Sequence, residues 1–337
     1  MAGPVHLLRL AGYAVLLGVV ATLVAIGDPR EFARDHGGRQ RLSIATGGTG
    51  GVWYPYGGAI AHTISLHVPN VEATAEVTAA SVDNLKLLHA GKVDIAFSVA
   101  DVLGDAYHGR EAFREVGRVP ARAIAVLYPQ YTHLVTVESS RIDAVEALRG
   151  KVVSLGPAGS GTLQIAERIL AAIGIDPRTG IRPQFLSVAE AVNAIKDGKL
   201  DAFFWSGGVP TGAILDLAST PGRRMRLLPT ASALPGLEES HGSGAYHVLP
   251  LPAAAYPGQP HDVAVIAVSA VLLVDEGMHE ELAYDITRAL FEHREELIAV
   301  HPVAKELDLV TAVTGSPVPF HPGAVRYYHE VGAWPTN

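Results

Sequence analysis

Two glycine-rich turns constrain this chain more than any other feature. TGGTGG at 46–51 follows a β-type run and feeds a helical pattern, and GPAGSGT at 156–162 stands in the same context before Leu163. A strand that turns through glycines into a helix opens a strand-helix-strand unit. Short β-type runs at 42–46, 71–77, 94–99, 123–128, 133–137, 152–155, 183–186, 202–205, 225–228 and 263–273 continue to alternate with helical patterns. The alternation predicts an α/β protein with a largely parallel sheet.

Apolar stripes support the helices. Leu163, Ala166, Leu170 and Ile173 recur at steps of three and four, as do Val188, Ala191, Val192 and Ile195, and later Leu282, Ile286, Ala289, Leu290, His293 and Leu297. Ser187 with Glu190 forms a capping box, a purely structural motif that places the start of the second of these helices. Residues 229–262 hold six prolines and break the rhythm, which predicts a long irregular connection. The expected organisation is a linker over 28–41, one lobe over 42–132, a second over 133–262, and a tail, 263–337, returning to the first.

The chain has 337 residues, 48% hydrophobic and 18% charged, enough apolar surface for two globular cores. A formal charge of -8 with no basic stripe argues against nucleic acid as a partner. The lack of cysteine excludes thiolate metal sites and a Cys nucleophile. At the amino terminus Arg9 precedes an apolar run over 10–27, after which the chain turns charged. That is the layout of an export signal, with Ala25 and Gly27 as a small-x-small site; cleavage before Asp28 is favoured over retention as an anchor. The rest of the sequence has no run of spanning length, so the mature chain is expected to work outside the cytoplasmic membrane, in the periplasm or on the membrane's outer face.

A glycine-rich strand-to-helix turn lets backbone amides and the positive end of a helix meet a polar or anionic ligand. Neither turn has the Gly-Lys-Ser/Thr ending of a P-loop or the third glycine of a dinucleotide fingerprint, where Trp53 and Gln164 stand instead. The bland alternative is a tight turn with Ser160 as a helix cap. Two turns in corresponding places favour a ligand between them. Tyr54 is assigned to the pocket, whereas Tyr56 and Trp205 suit a core as well as a pocket. Asn84 reads as a capping residue as readily as a contact. There is no Gly-x-Ser-x-Gly elbow, no zincin helix and no paired histidine spacing, so neither an enzyme nor a metal site is expected, and no cofactor.

In order along the chain, TGGTGGVWYPYGGAIA (46–61), SVDNLKLL (81–88), DIAFSVAD (94–101), LGPAGSGT (155–162), DAFFWSGGVPTGAI (201–214), YPGQ (256–259) and PFHPGAVRYYHEVG (319–332) resemble the TAXI family of solute-binding proteins, the receptors of tripartite ATP-independent periplasmic (TRAP) transporters. The resemblance implies a type II periplasmic-binding-protein fold, two α/β lobes closing over a small carboxylate such as glutamate, glutamine or 2-oxoglutarate. It also implies delivery to the membrane permease subunits of a TRAP transporter, with a monomer expected.

Carried over residue by residue, Gly48, Thr49, Gly50, Gly51, Tyr54 and Asn84 would form the first-lobe wall. Ser160, Gly161 and Thr162 would hold the carboxylate from the second lobe, with Trp205 as a further contact. Many members have Gln-Ser-Asp or Gln-Ala-Asp where this chain reads Val99-Ala100-Asp101, so a polar contact is lost; Ser98 is the candidate to replace it. Tyr256 matches a family position without an assigned role. The hinge is expected near 130–137 and 262–270. Two alternatives stay open: an enzyme on the same scaffold, which would need a clustered acid, base or nucleophile, and a ligand sensor signalling to a membrane partner.

Overall fold

The structure, a computed structural model, describes residues 38–242 and 244–335. The export segment and most of the expected linker therefore lie outside the described residues. The first strand, β1 (Gln40–Ala45), starts just inside that linker.

Three parallel strands build each half of one mixed sheet. In the first half β1 lies between β2 (Val71–Glu76) and β3 (Ile95–Val99). In the second, β5 (Val152–Ser154) lies between β6 (Arg182–Gln184) and β7 (Ala202–Gly207). The same β-α-β-α-β order is thus used twice, with α1 (Trp53–His67) and α2 (Ser81–His89) in the first half and α4 (Gly161–Ala172) and α5 (Val188–Lys196) in the second. The short helix α3 (Ala100–Tyr107) follows β3 directly.

Two long antiparallel strands join the halves. The 17-residue β4 (Ala121–Val137) and the 13-residue β10 (Val263–Asp275) pair with each other from Ala121↔Asp275 to Tyr131↔Ala267. Beyond that point β4 pairs with β7 and with β8 (Met225–Leu228), while the start of β10 pairs with β9 (His247–Leu251). The full order is β2-β1-β3-β10-β4-β7-β5-β6. Two separate strands, 123–128 and 133–137, were expected where one continuous β4 is found. Pro129 broke the apolar run in the sequence, yet it sits within the ladder opposite Ser269.

The irregular connection expected over 229–262 is also corrected: it contains α7 (Leu234–His241) and β9. Pro235 lies in the first turn of α7, where its missing N–H costs nothing, and Pro250 lies in a strand that pairs only with β10, at an edge.

The central strands are buried on both faces and read as nearly unbroken apolar runs, β3 completely so. Val188, Ala191, Val192 and Ile195 bury the expected face of α5 against Phe203, Ile214 and Leu217, the last two from α6 (Gly212–Ala218). Each large side chain so buried contributes about 1.5–3 kcal/mol. The late stripe is split between α8 (Glu280–Glu292) and α9 (Arg294–Val300), with His293 at the junction. These two and α10 (Pro322–Glu330) bury Ile286, Leu290, Leu297 and Tyr328 in the core that also holds Tyr56 and Ile60 of α1.

Candidate functional site

A cavity of about 360 Å³ lies between the two halves of the molecule, at the carboxyl ends of the parallel strands. That is where an open α/β sheet leaves a crevice. The volume suits a small metabolite.

Four helices begin at this cavity. Trp53 of α1, Ser81 of α2, Gly161 of α4 and Val188 of α5 are all first residues of their helices, and all four line it. The helix dipole gives each such end about half a positive charge, although part of the first turn is already bound at α2 by the Gly159 carbonyl, at α4 by Ser160 Oγ and at α5 by Ser187 Oγ. No Lys or Arg is among the lining residues. The single titratable one is Glu190, whose carboxylate is held below its usual value by hydrogen bonds from the Ser187 side chain and backbone within the capping box. Positive potential here therefore comes from backbone.

The glycines of the two turns allow the walls to touch. A β-carbon on Gly51 would lie 2.8 Å from Trp205 Cη2, so the indole of one half packs directly on the bare turn of the other. In the opposite sense the Gly159 carbonyl accepts hydrogen bonds from Val82 N–H and Asp83 N–H at 3.0 and 3.1 Å, so the second turn caps the start of α2. Ala80, the residue before α2, holds a φ of +89°, a conformation stabilised by its N–H donating to Thr78 Oγ1. Strain of this kind collects at binding clefts.

Eight of the eleven residues expected from the sequence line the cavity: Gly48, Thr49, Gly50, Gly51, Ser160, Gly161, Thr162 and Trp205. Three do not. Tyr54 is a third exposed and is not among the lining residues. Asn84 is fully buried behind the wall, its amide donating to the carbonyls of Ala45, Thr46 and Phe97 and its Oδ1 accepting from Thr78. It ties the ends of β1 and β3 together and has no donor left for a solute. Ser98 is likewise buried and donates to the Val99 carbonyl, so it does not replace the missing polar contact. Of the two aromatics open to either reading, Tyr56 belongs to the core, packed between Phe97 and Tyr128.

Sequence reasoning passed over Gln130 and Ser206. Both line the cavity; Gln130 comes from β4 where the strands cross, and Ser206 from β7. Ser206 Oγ is buried without a partner among the described residues. Gln130 supplies a side-chain amide to the cavity. Ser187 was also underrated, since its helix start forms part of the wall.

Behind Trp205 a chain of hydrogen bonds fixes the indole. Its Nε1–H donates to Thr211 Oγ1 at 2.9 Å, and that hydroxyl donates to the Gly208 carbonyl. Thr211 N–H donates to Tyr256 OH, which is 2.8 Å from His133 Nε2. Burial lowers the His133 pKa to about 4, so the ring is neutral at pH 7. Its Nδ1–H then donates toward the Tyr131 and Trp205 carbonyls, and Nε2 accepts from Tyr256, whose own hydroxyl is pushed up to about 12 by burial. Tyr256 thus has a role: it braces the loop that holds the wall.

A buried ion cluster crosses between the halves beside the cavity. Arg168 of α4 donates to Asp101 Oδ2 at 2.7 Å, to Asp105 of α3, and to Tyr246 OH at 2.9 Å. Burial alone would lower the guanidinium's pKa, but Asp101, Tyr246 and Asp105 outweigh it and hold it above its usual value. Among the described residues, one His/Glu group of metal-ligating spacing exists, His67, His293 and Glu296, at the far end of α1 from the cavity.

Two α/β lobes joined by crossing strands, with a cavity between them, are the architecture of type II periplasmic binding proteins. The chain belongs to the NMT1-like family, whose model matches residues 44–332. Among solved structures it is similar to the periplasmic aliphatic sulphonate binding protein SsuA from Escherichia coli (16% identity over 80% of this chain and 75% of that one, TM-score 0.46). It is also similar to a putative L-cystine ABC transporter protein from Listeria monocytogenes (15%, 80% and 96%, TM-score 0.49) and to the probable amino-acid ABC transporter extracellular-binding protein ytmK from Bacillus subtilis (15%, 80% and 97%, TM-score 0.44). At these identities none of them fixes a residue's role in this chain.

Proposed function

We propose that this protein is an extracytoplasmic receptor that captures a small carboxylate and delivers it to the permease of a TRAP transporter, glutamate, glutamine and 2-oxoglutarate being the first solutes to test. The observation that carries the reading is the convergence of four helix starts on a cavity without a cationic side chain. Backbone amides aimed at one enclosed space favour an anion without the desolvation cost of burying an Arg or Lys. Ser206, Gln130 and Thr162 add polar groups, and Trp53, Val99, Val188 and Trp205 an apolar wall. We assign residues 42–132 and 263–337 to one lobe and 133–262 to the other, with closure on the crossing strands. A solute that touches both walls favours the closed state by its differential affinity for it.

Binding is favoured over catalysis because the only titratable side chain in the lining, Glu190, is committed to a helix cap. The TRAP assignment rests on the motif resemblance alone.

The test is a thermal-shift screen of the purified protein against glutamate, glutamine, 2-oxoglutarate, C4 dicarboxylates, an alkanesulfonate and uncharged amino-acid amides. A solute at about a hundred times its Kd stabilises the protein by roughly 2.7 kcal/mol, a visible rise in Tm. Shifts confined to carboxylates support the proposal. Equal shifts with neutral analogues, or with the sulfonate alone, overturn the carboxylate reading.

A further inference from the structure

At the far end of α1, three side chains from separate stretches of chain converge. His67 is the last residue of that helix, His293 joins α8 to α9, and Glu296 lies in the first turn of α9. Glu296 Oε1 is 2.9 Å from His67 Nε2 and 3.7 Å from His293 Nδ1. The two imidazoles stack with centroids 3.3 Å apart and planes within 6°. One donor atom from each of the three residues can be chosen so that all lie within 4.8 Å of one another.

The arrangement is a poor ion-pair network and a good ligand set. The partners of Glu296 within the cluster are both histidines; Arg294 nearby is turned away and donates to the carbonyls of Ala304 and Lys305. A tetrahedral ion with bonds of about 2.0–2.2 Å sets neighbouring donor atoms roughly 3.3–3.5 Å apart. The two separations to Glu296 Oε1, 2.9 and 3.7 Å, bracket that spacing. Parallel rings cannot both aim a lone pair at one point, so coordination requires each ring to turn about its Cβ–Cγ bond. Side chains that are 27%, 32% and 40% exposed have the room to do so and leave a path for an ion. The second carboxylate oxygen of Glu296 accepts from the hydroxyl of Thr63, a fully buried residue, which orients the ligand as outer partners do in metal sites.

We infer that His67, His293 and Glu296 together bind a divalent transition-metal ion, zinc being the best match to two imidazoles and one carboxylate, with a fourth position left to water. The 15-residue helix α1 separates this site from Trp53 at the cavity by about 20 Å, at 1.5 Å per residue. The ion does not touch the solute. It clamps the end of α1 to the α8–α9 junction, and its effect is on the stability of that lobe.

The test uses the full, untagged chain, stripped with chelator and titrated with zinc chloride by calorimetry and by thermal melting. One zinc per chain is expected, with a rise in Tm, and binding should weaken in acid, where protons compete with the metal for its ligands. His67→Gln and His293→Gln should lose the saturable site, Thr63→Val should weaken it by about 10- to 100-fold, and the control His62→Gln on the exposed side of α1 should keep it. Should the glutamine variants not fold, the wild-type chain still decides: cobalt should give the intense visible bands of a four-coordinate site, lost on adding zinc. No saturable zinc or cobalt binding in the wild type, or equal zinc affinity in a folded His67→Gln/His293→Gln double variant, overturns the inference.

Discussion

Gly161 and Ser81, each the first residue of its helix, approach so closely across the cavity that a β-carbon on Gly161 would lie 2.7 Å from Ser81 Oγ, and 2.7 Å from Val99 Cγ2 as well. The contact joins the two halves of the sheet, so on the closure proposed above the absent side chain is a condition of closing and not of folding. Gly161→Val should leave each lobe intact and hold the lobes apart. Overpacking of about 1–3 kcal/mol corresponds to a loss of roughly 5- to 150-fold in solute affinity. Calorimetry with the solute found in the thermal screen measures the loss, and a larger radius of gyration by small-angle scattering shows the opening. Wild-type affinity in this variant would remove the second turn from the site.

Arg168 should behave as a buried partner whose removal strands a carboxylate. Arg168→Met leaves Asp101 without its cation and Asp105 with Arg110 alone, at 3.7 Å, and should cost about 3–5 kcal/mol. Asp105→Asn should cost less, because Asp101 and Tyr246 still hold the guanidinium. Denaturant midpoints at fixed m-value give both numbers; equal costs would mean that the cluster does not act as ordered.

Acid should destabilise the protein through His133. Its pKa in the folded state is lowered to about 4 by burial, against about 6.5 when unfolded, so the unfolded chain binds the extra proton first. Stability from this group is complete above pH 6.5 and falls by about 1.4 kcal/mol per unit toward pH 4, for a total near 3 kcal/mol. His241, His301 and His321 are shifted in the same direction by burial and add to the slope. His133→Phe should flatten the profile between pH 6.5 and 4 relative to wild type in urea titrations; an unchanged slope would refute the buried neutral ring.

Solute binding should change the tryptophan fluorescence. Two of the three tryptophans, Trp53 and Trp205, line the cavity, while Trp334 packs on Phe320 and Tyr328. Trp334→Phe should preserve the response and Trp205→Phe should diminish it. A response that disappears with Trp334 would place the solute elsewhere.

The fold was legible where local patterning and tertiary context agree. The strand-turn-helix repeats and the α5 stripe follow from sequence because burial acts on periodic positions. The split of β4, and the overlooked α7 and β9, share one cause: proline was taken as a breaker, whereas Pro129, Pro235 and Pro250 occupy places where a missing N–H is tolerated. In the site, glycine marked the close approaches correctly. Asn84, Ser98 and Tyr54 lie outside the cavity lining, because a motif shows neighbourhood in sequence and not the direction of a side chain. Gln130 and Ser206 left no signal of their own, since both become wall residues only when distant strands are brought together. The capping box at Ser187 was the missed clue, because in such a sheet helix starts gather at the crevice.

The crossing of β4 and β10 has a mechanical consequence. The joint is a hydrogen-bonded ribbon with register shifts at Ala270/Val271 and Leu272/Leu273, not a pair of slack loops. Such a joint behaves as a torsion spring: it has a rest angle, and departure from that angle stores elastic energy. On the closure proposed above, the affinity for a solute is partly set by the stiffness of this ribbon, which enters the cavity lining only at Gln130.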